Sequence, residues 1–429
     1  MKGTYMEETI KYTPLHDWHL MHGANMGSFA GYDMPMWYKG GAKEEHLSVI
    51  LSAGLFDTSH MAVISVKGKG AFDLLQRCFS RDLAWGKKDG KDASMTGKCV
   101  YGVFLNDSGG VIDDAIVYGV APSDYLVVVN AGNGEKLASH LRIHAGTHPV
   151  DIEDHTDKLG KMDLQGPLAG RILQDAGAFS GMDIREMNYF TFKGHFLGNV
   201  SGPSINGIPV LLSRTGYTGE FGFEVFMKKE AMPAIWQSII DAGEKWHILP
   251  CGLAARDSLR TGAVLPLSHQ DIGDWLFLNH PWTFALPFDK GKKGFTKPFI
   301  GKDALESNMR THSHVTYPFA GFDLRKVTTS KAPSVFTKDG KKIGNVLTCV
   351  TDMAIGRHDR TIISIAEKNT PQHIAIKGLS CGFLKSEVPL KPMDMVTLDD
   401  GSRKIDVEIR ADLRPHRTAR HSMDKMMVS

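Results

Sequence analysis

Apolar residues recur along this chain with two different spacings, and the spacing distinguishes strands from helices. Segments rich in β-branched and aromatic residues, bounded by turn residues, predict β-strands. Four such strands are expected, at residues 62–66, 112–118, 125–130 and 210–213. Apolar residues at helical spacing predict helices at residues 43–52, 135–144 and 231–245, and a helix rich in small residues that starts at Pro250.

One combination of strand, glycine turn and helix occurs twice. Residues 66–76 and 164–174 each place a glycine, Gly68 or Gly166, after strand residues and continue with apolar residues at helical spacing. So short a match arises by chance as well as by duplication, and both explanations stay open. A duplication would give two related αβ units placed side by side. The glycines near Gly68 are too few for a nucleotide-binding fingerprint.

The pattern changes beyond residue 315. Short alternating segments are separated there by turn residues such as those at 339–340, and helical periodicity is weak. This pattern is typical of a small all-β domain. The segment that begins at Arg410 and ends at Arg420 also carries Arg414, His416 and Arg417. Basic segments are usually solvated, although an anionic ligand or partner would also suit this one.

The overall composition is that of an ordinary globular protein. Hydrophobic residues make up 42% of the chain, and 50 basic against 48 acidic residues give a net charge of +2. We therefore expect no nucleic-acid and no membrane partner. Residues 1–12 lack the apolar segment of a secretory signal. Five scattered cysteines without a CxxC pair fit a reducing, cytoplasmic location and argue against disulfides and a cysteine zinc site.

Three histidines recur at a spacing of three near the N-terminus. His16, His19 and His22 would share one side of a helix within residues 15–26, where a row of imidazoles can ligate a metal. More often, such a row is the solvated face of an amphipathic helix. No carboxylate or fourth ligand occurs at a matching spacing, so we expect no metal here.

Two adjacent aspartates stand in the most strand-like segment of the chain. Gly109 and Gly110 close a turn, and Asp113 and Asp114 follow it within the predicted strand. Neighbouring strand residues face opposite sides, so the two carboxylates cannot share one task. One is expected to bond the turn while the other points toward whatever the protein encloses; alternatively, both cap the turn. A carboxylate on an apolar strand is unfavourable unless it is paired or used.

Seven segments, taken in order, carry a family resemblance: residues 13–15, 29–35, 54–61, 109–114, 164–167, 213–224 and 252–257. Together they resemble the T-protein (aminomethyltransferase) family of the glycine cleavage system and its tetrahydrofolate-dependent relatives. The run Ser-Arg-Thr-Gly-Tyr-Thr-Gly-Glu at residues 213–220 is the most specific of them. The resemblance is close over residues 13–275 and looser in the remainder.

The resemblance implies an α+β fold with three domains arranged like a cloverleaf. Two αβ domains are expected around a folate pocket, together with a C-terminal β-barrel. Residues 1–305 would form the folate-binding, aminomethyltransferase-like region of two interleaved αβ domains. Residues 315–429 would form the barrel domain.

The resemblance also assigns site residues around tetrahydrofolate. Asp114 matches the family's catalytic residue, near the reactive nitrogens of the folate. Glu224 matches the carboxylate that binds the amino-pyrimidine edge, where two parallel N–H bonds are strengthened by its charge. Arg256 matches the arginine on the benzoyl-glutamate side. Tyr101, Met61 and Asn130 are expected to line the folate pocket, and His416 stands where the family has a tyrosine that contacts the folate.

The family reaction follows from the same resemblance. An aminomethyl group carried on the lipoyl arm of H-protein is transferred to tetrahydrofolate, giving 5,10-methylene-tetrahydrofolate and ammonia. Positive charge develops during the transfer, and a fixed carboxylate such as Asp114 would stabilise it and help to move protons. No metal and no nucleophilic side chain is required, because the folate is the nucleophile.

The chain departs from the family pattern between residues 261 and 286. The acidic residue usual after Arg260 is absent, and Ser268–His269 stands where the family has Tyr-Gly. Four aromatic residues of this stretch are expected to make the pocket mouth more apolar: Trp275, Phe277, Trp282 and Phe284. Two explanations stay open: drift with compensating repacking, or a different one-carbon donor, such as a methylated cation held by cation–π contacts.

Three functions are therefore compared. The first is a T-protein acting with lipoylated H-protein. The second is a tetrahydrofolate-dependent demethylase or methyltransferase acting on a free small methylated compound. The third is a non-catalytic folate-binding protein, which the joint presence of Asp114, Glu224 and Arg256 disfavours because a pure binder has no need of Asp114.

Overall fold

The structure is a computed structural model that describes residues 10–84, 95–179, 182, 186–196, 202–309, 314–367 and 376–428. The first nine residues of the N-terminal segment considered above lie outside these ranges. In the described ranges the α-helices are α1 His16–Met21, α2 Gly41–Leu51, α3 Ala71–Cys78, α4 Gly134–Ala145, α5 Ala169–Asp175, α6 Met232–Gly243, α7 Leu253–Gly262, α8 Lys302–Ser307 and α9 Met423–Val428. The longest have 12 residues, too few to cross a bilayer.

The strands of the described ranges divide into those before and after residue 315. The first group is β1 Lys11–Tyr12, β2 Asn25–Phe29, β3 Tyr32–Trp37, β4 Gly54–Asp57, β5 Ala62–Lys67, β6 Cys99–Leu105, β7 Val111–Ala121, β8 Asp124–Val129, β9 Asp151–Asp154, β10 Leu159–Gln165, β11 Phe192–Lys193, β12 Ser204–Ile205, β13 Ile208–Pro209, β14 Leu211–Ser213, β15 Gly222–Lys228 and β16 Leu249–Cys251. The second group is β17 Val315–Gly321, β18 Ser334–Phe336, β19 Lys342–Asp352, β20 Ile355–His358, β21 Thr361–Ser364, β22 Leu379–Ser386, β23 Met395–Asp399 and β24 Lys404–Ile409.

Two sheets form the body of the molecule. One has the strand order β6-β7-β8-β5-β9, and the other has the order β11-β14-β15-β10-β4-β16. Their inner faces meet in a shared apolar core that includes Tyr118 and Val128 from the first sheet and Leu211 and Phe226 from the second. Helices α3 and α4 cover the outer face of the five-stranded sheet. Helices α5 and α6 cover that of the six-stranded sheet.

The repeated sequence pattern forms the same local structure twice. Strand β5 passes through Gly68 into α3, and β10 passes through Gly166 into α5. The two glycines have φ angles of +114° and +131°. A Cβ at either position would lie 2.3 or 2.4 Å from a backbone oxygen, so each turn requires glycine. The repeated pattern therefore corresponds to two similar strand–turn–helix units, one in each of the two sheets, which is the arrangement that a duplication would give.

The C-terminal part of the chain is β-rich, as predicted. Strands β17-β22-β19-β18-β23-β24 close into a barrel, which leaves no strand edge open. Its interior is apolar and includes Phe319, Val335, Leu384 and Val407. The α+β fold with a terminal barrel is thus confirmed, while the exact domain limits at residues 305 and 315 stay a prediction.

The cysteines play no covalent part in this fold. All five lie in the described ranges and are free and buried. Burial raises the pKa of the Cys78 thiol to about 12, and it raises that of Cys349 to about 11. Such thiols are protonated at neutral pH and behave as small apolar side chains.

Candidate active site

A cavity of about 1410 Å³ lies between the two sheets, beside helix α7 and the segment that follows the barrel. Pockets for drug-sized ligands usually measure about 300–1000 Å³, so this one holds a large ligand or two smaller ones. The structure places all seven residues predicted from the family resemblance in its wall: Met61, Tyr101, Asp114, Asn130, Glu224, Arg256 and His416.

Asp114 is held on the inner face of β7, where it is partly exposed to the cavity. The hydroxyl of Tyr101, on the neighbouring strand β6, donates to Asp114 Oδ2 at 2.9 Å. The side-chain amide of Asn130, just after β8, donates to Asp114 Oδ1 at 2.7 Å. Tyr101 and Asn130 thus fix the carboxylate in one orientation. Among the described residues, no cationic side chain is bonded to it.

A β-bulge places the two aspartates. Leu105 pairs with Val111 and Phe104 with Asp113, so Ile112 is an extra residue in β7. Bulges of this kind re-aim the following side chains and are frequent near active sites. Asp114 then shares the inner face with Tyr118, while Asp113 is wholly buried on the other side.

Neither aspartate bonds the turn, so both predictions about the turn are wrong. The turn amides of Ser108 and Gly110 donate to Asn106 Oδ1, each at 3.0 Å. Asn106 lies at the start of the turn and reaches its amides without help from the strand. Asp113 accepts bonds from Asn130 and from Ser268 instead.

The surroundings of Asp114 favour its protonated form. Burial and the negative charge of Asp113 raise its pKa to about 7, although the bonds from Tyr101 and Asn130 act in the opposite direction. The same burial, reinforced by Asp114, raises the pKa of Tyr101, so the phenol stays protonated and donates. Asp114 is therefore poised to gain or lose a proton near neutral pH.

Glu224 lies on β15 in a buried cluster of donors. Its Oε2 accepts bonds from Tyr118 at 2.9 Å and from Thr215 at 2.7 Å, and its Oε1 accepts one from Lys161 at 3.1 Å. A carboxylate has about four acceptor positions, so one remains for a ligand. A second becomes free if the Thr215 hydroxyl turns to Ser213 Oγ, 2.7 Å away.

Two members of this cluster, Lys161 and Asp163, were missed by the sequence analysis. Both side chains lie on β10, and the Lys161 ammonium contacts Asp163 Oδ1 at 2.5 Å. Although burial opposes it, the charges of Lys161 and Arg256 hold the pKa of Asp163 at about 2. The alternation of polar and apolar residues along residues 159–165 was the available signal, since polar side chains in an apolar strand need partners.

Arg256 completes a chain of alternating charges that runs from Glu224 through Lys161 and Asp163. Its Nη1 donates to Asp163 Oδ2 at 2.6 Å, and its guanidinium lies 4.9 Å from the ring of Tyr217. Its Nη2 lies 3.9 Å from the sulfur of Met61. The guanidinium is thus fixed in place at the cavity wall with part of its donor set directed away from the carboxylate.

The basic residues at positions 414–420, after the barrel, have two different environments: one is buried in the protein and three line the cavity. Arg414 is fully buried, and its Nη1 donates to Asp352 Oδ2 at 2.7 Å, so the prediction of a solvated tail is wrong for this residue. His416, Arg417 and Arg420 line the cavity instead. Half of the His416 side chain is exposed, and Glu367 lies 3.7 Å from its Nε2.

The expected aromatic cluster at the mouth is not formed. Of the four aromatic residues in the divergent stretch, Phe284 lines the cavity. Phe277 and Trp282 are buried in a core between the five-stranded sheet and the barrel, and Trp275 contacts Lys385 of the barrel. Composition alone did not show that this stretch fills a domain interface.

The three N-terminal histidines do not form a solvated row either. His19 is completely buried, with Nε2 3.0 Å from Asp57 Oδ2 and Nδ1 2.7 Å from the Tyr38 hydroxyl. His16 is bonded to Asp33, and His22 stacks on Trp18. Each imidazole has its own protein partner. Across the described ranges, no group of three or more potential ligands is arranged to hold a metal ion.

Comparison with known proteins identifies the family. Residues 15–276 match the family model described as the GCVT N-terminal domain. An aminomethyltransferase from Caldanaerobacter subterraneus subsp. tengcongensis is 37% identical over 349 residues, which cover 81% of this chain and 86% of that protein. The chain belongs to the glycine cleavage T-protein family.

Other members of the T-protein family agree with this assignment. An aminomethyltransferase from Symbiobacterium thermophilum is 39% identical over 305 residues, covering 70% of this chain and 75% of that protein. The crystal structure of glycine cleavage system aminomethyltransferase T from Bartonella henselae superposes with a TM-score of 0.74 at 26% identity, covering 94% of this chain and 97% of that one. As a family member, the chain is a one-carbon-transferring enzyme of the aminomethyltransferase type.

Proposed function

We propose that the chain binds tetrahydrofolate in the cavity between its two sheets and transfers to it the carbon of an aminomethyl group. The products would be 5,10-methylene-tetrahydrofolate and ammonia. Membership of the T-protein family supports the proposal. The observation that carries it is a partly exposed carboxylate, Asp114, fixed by two hydrogen bonds in a cavity that also presents Glu224 and Arg256.

The polar groups of the cavity fit tetrahydrofolate. Glu224 has one acceptor position open and a second available after rotation of Thr215, which suits the two N–H groups of an amino-pyrimidine edge. Arg256 is fixed by Asp163, and its remaining donors suit the carbonyl and carboxylate groups of the benzoyl-glutamate portion. The cavity volume of about 1410 Å³ leaves room for a donor beside the folate.

Asp114 would stabilise the positive charge that develops during the transfer and would help to move protons. Tetrahydrofolate would supply the nucleophilic nitrogens, so the protein has no need of a nucleophile of its own. Positive charge develops on the carbon in transfer, and a preorganised carboxylate in a partly buried site stabilises such charge more strongly than water does. Tyr101 and Asn130 keep the carboxylate in place, so little reorganisation is needed when the charge appears.

The donor is proposed to be the aminomethyl-loaded lipoyl arm of H-protein. In the net reaction the carbon loses its bonds to sulfur and to the amine nitrogen and gains bonds to two acceptor nitrogens. The two protons released by those nitrogens go to the thiolate and to the amine, which leaves as ammonia. Atoms and electrons balance without an oxidant, a reductant or a metal.

A turnover assay tests the function. The purified chain, tetrahydrofolate and aminomethyl-loaded H-protein should give methylene-tetrahydrofolate and ammonia in equal amounts, at about 1 per second or faster. A chain that binds folate but forms neither product would contradict the proposal. Methylated amines and sulfonium compounds serve as alternative donors in the same assay, read out as methyl-tetrahydrofolate.

No observation favours the two alternative functions. The demethylase hypothesis depended on an aromatic cage at the cavity mouth, and Phe277 and Trp282 are buried elsewhere. The binding-protein hypothesis gives no reason for Asp114 to be fixed by Tyr101 and Asn130 while it faces the cavity.

A further inference from the structure

The second carboxylate of the pair, Asp113, is held as firmly as any group in the site. It is completely buried. Its Oδ2 accepts the backbone N–H of Asn130 at 2.9 Å, and its Oδ1 accepts the Asn130 side-chain amide at 2.8 Å. The hydroxyl of Ser268 donates to Oδ1 at 2.7 Å. The backbone N–H of Asp114 donates to Oδ1 at 3.0 Å as well, so four donors surround this buried carboxylate.

One amide joins the two carboxylates. Asn130 Nδ2 donates to Asp113 Oδ1 at 2.8 Å and to Asp114 Oδ1 at 2.7 Å. The two negatively charged groups are therefore separated by a single nitrogen in a buried region, where charges interact more strongly than in water. Asp114 accepts fewer hydrogen bonds than Asp113, so its negative charge is the less well supported of the two.

We propose that Asp113 is a positioning residue whose negative charge, fixed by Asn130 and Ser268, enables Asp114 to bind and release the proton that moves during the reaction. The proposal rests on the proposed function, because the proton is one that the reaction must move. Asp114 would accept the proton released by an acceptor nitrogen as that nitrogen bonds to carbon. It would then return the proton to the amine nitrogen as the amine leaves, which regenerates the carboxylate.

The other groups around Asp114 are compatible with this role. On β6, Tyr101 donates to Asp114. Across the cavity, the phenol of Tyr217 is influenced by Asp114 and by the cations Arg260 and Arg256. Burial raises the pKa of Tyr217 well above neutrality, so neither phenol changes charge where Asp114 does. Of the titratable groups facing Asp114, Asp113 is the one that carries a like charge next to it.

Ser268 links this pair to the part of the chain that departs from the family. It lies in the divergent stretch 261–286, and its neighbour His269, with a φ of +63°, is bonded through Nε2 to Asn133 at 3.0 Å. The loop is thus fixed at two successive residues, to β7 through Ser268 and to the segment after β8 through His269. The divergent stretch therefore acts on the charge of the site through Asp113 rather than through an aromatic cage.

Two substitutions should move the pH dependence in the same direction by different amounts. Asp113→Asn keeps the shape of the side chain and removes its charge, so the acidic limb of the kcat–pH profile should move to lower pH by about one unit or more. Ser268→Ala removes a donor that stabilises the negative charge of Asp113, so the same limb should move to lower pH by a smaller amount. Asp107→Asn, the same charge change on the exposed turn before β7, is the matched control and should leave the limb in place.

A carboxyl titration separates failure of this proposal from failure of the proposed function. ¹³C-aspartate labelling, with Asp114→Asn to assign the resonance, reports the charge of Asp114 without any turnover. The Asp114 carboxyl should titrate at lower pH in Asp113→Asn than in the wild type, and also, by a smaller amount, in Ser268→Ala. Unchanged titration in both variants would overturn the proposal, even if the enzyme is active. If Asp113→Asn does not fold, the downward shift in Ser268→Ala decides the question alone.

Discussion

Two carboxylates in the same cavity wall are tuned in opposite directions by their neighbours. Asp163 lies between Lys161 and Arg256, whose charges hold its pKa at about 2 despite its burial. Asp114 has two neutral donors and a like charge nearby, and its pKa is raised to about 7. Two carboxyl groups whose pKa values are shifted in opposite directions commonly have different roles in catalysis. Asp163 holds the side chains of Lys161 and Arg256 in place. Asp114 is proposed to stabilise positive charge and to transfer a proton.

Removing the charge of Asp114 tests the role assigned to it. Asp114→Asn keeps the size of the side chain but can neither stabilise positive charge nor carry a proton. We expect kcat to fall by a factor of about 10² to 10⁴, the usual range for a lost acid–base group. Tetrahydrofolate affinity, measured by calorimetry, should change little. A variant with wild-type turnover would contradict the assignment.

The same substitution should stabilise the protein at high pH. The folded-state pKa of Asp114 lies above its unfolded value of 3.8, so its contribution to stability is present at low pH and is lost as pH rises toward about 7. Asp114→Asn should therefore melt at a higher temperature than the wild type at pH 8, with the difference shrinking toward pH 4. Equal melting temperatures of the wild type and Asp114→Asn at pH 8 would show that the ionised Asp114 carboxylate does not destabilise the folded protein.

Removing a charge from the buried network around β10 should lower the free energy of unfolding far more than removing one from an exposed ion pair. Lys161→Met leaves Asp163 and Glu224 without a shared cation in a buried region, which typically costs about 3–5 kcal/mol. The free energy of unfolding from urea titration measures the loss. Lys158→Met, which breaks the exposed pair with Glu153, is the control and should cost about 1 kcal/mol or less. Similar losses in both variants would contradict the network.

At the scale of elements, the buried Arg414 ties three parts of the chain together. It contacts Asp352 of the barrel strand β19, the carbonyl of Thr218 in the glycine-rich turn, and that of Leu259 in α7. Arg414→Met would remove the arginine cation from the buried Asp352 carboxylate and leave the His46 imidazole as its hydrogen-bond partner, so a loss of about 3–5 kcal/mol is expected in urea unfolding. Arg403→Met, on an exposed barrel loop, should be nearly neutral. The account would be wrong if both variants behaved alike.

Local periodicity was sufficient to predict several elements but not their partners. The strand at 112–118 was predicted because its residues are β-branched and aromatic, and the observed β7 extends it at both ends. The repeat at Gly68 and Gly166 was visible because a positive φ at a close backbone approach requires glycine in both copies. Such features depend on a few neighbouring residues.

The contacts that the sequence did not reveal join residues that are far apart along the chain. Lys161 meets Glu224 because β10 pairs with β15, and no local pattern encodes that register. Trp282 is an aromatic residue near a pocket in sequence, yet it packs against Phe383 of the barrel. The role proposed for Asp114 came from the family resemblance and not from local pattern, because a pair of aspartates after a turn has a simpler structural interpretation.

At the scale of the whole molecule, the interface between the body and the barrel contains a pH-sensitive group. His280 is buried between Trp275 and Trp282, and neither of its ring nitrogens has a hydrogen-bond partner. Burial, and then the charges of His314 and Lys385, lower its pKa to about 3. The unfolded chain binds a proton below pH 6.5 where the folded chain does not, so stability must fall as the pH falls.

His280→Phe should remove part of this acid sensitivity. Between pH 6.5 and 5 the wild type should lose about 2 kcal/mol through this single group, following about 1.36 kcal/mol per pH unit. The variant should therefore show a flatter dependence of melting temperature on pH. His358→Phe, at an exposed position, should follow the wild-type curve. Parallel curves for wild type and His280→Phe would contradict the prediction.

The most direct test of the account is a crystal structure of the enzyme with 5-methyl-tetrahydrofolate, a stable form of the acceptor. We expect the amino-pyrimidine edge to lie within hydrogen-bond distance of Glu224, about 3 Å, with the reactive nitrogens on the side of Asp114. The benzoyl-glutamate portion should extend past Arg256. A folate bound outside the cavity, or one with its pyrimidine edge on Asp114, would contradict the central claim that these two carboxylates divide recognition and chemistry between them.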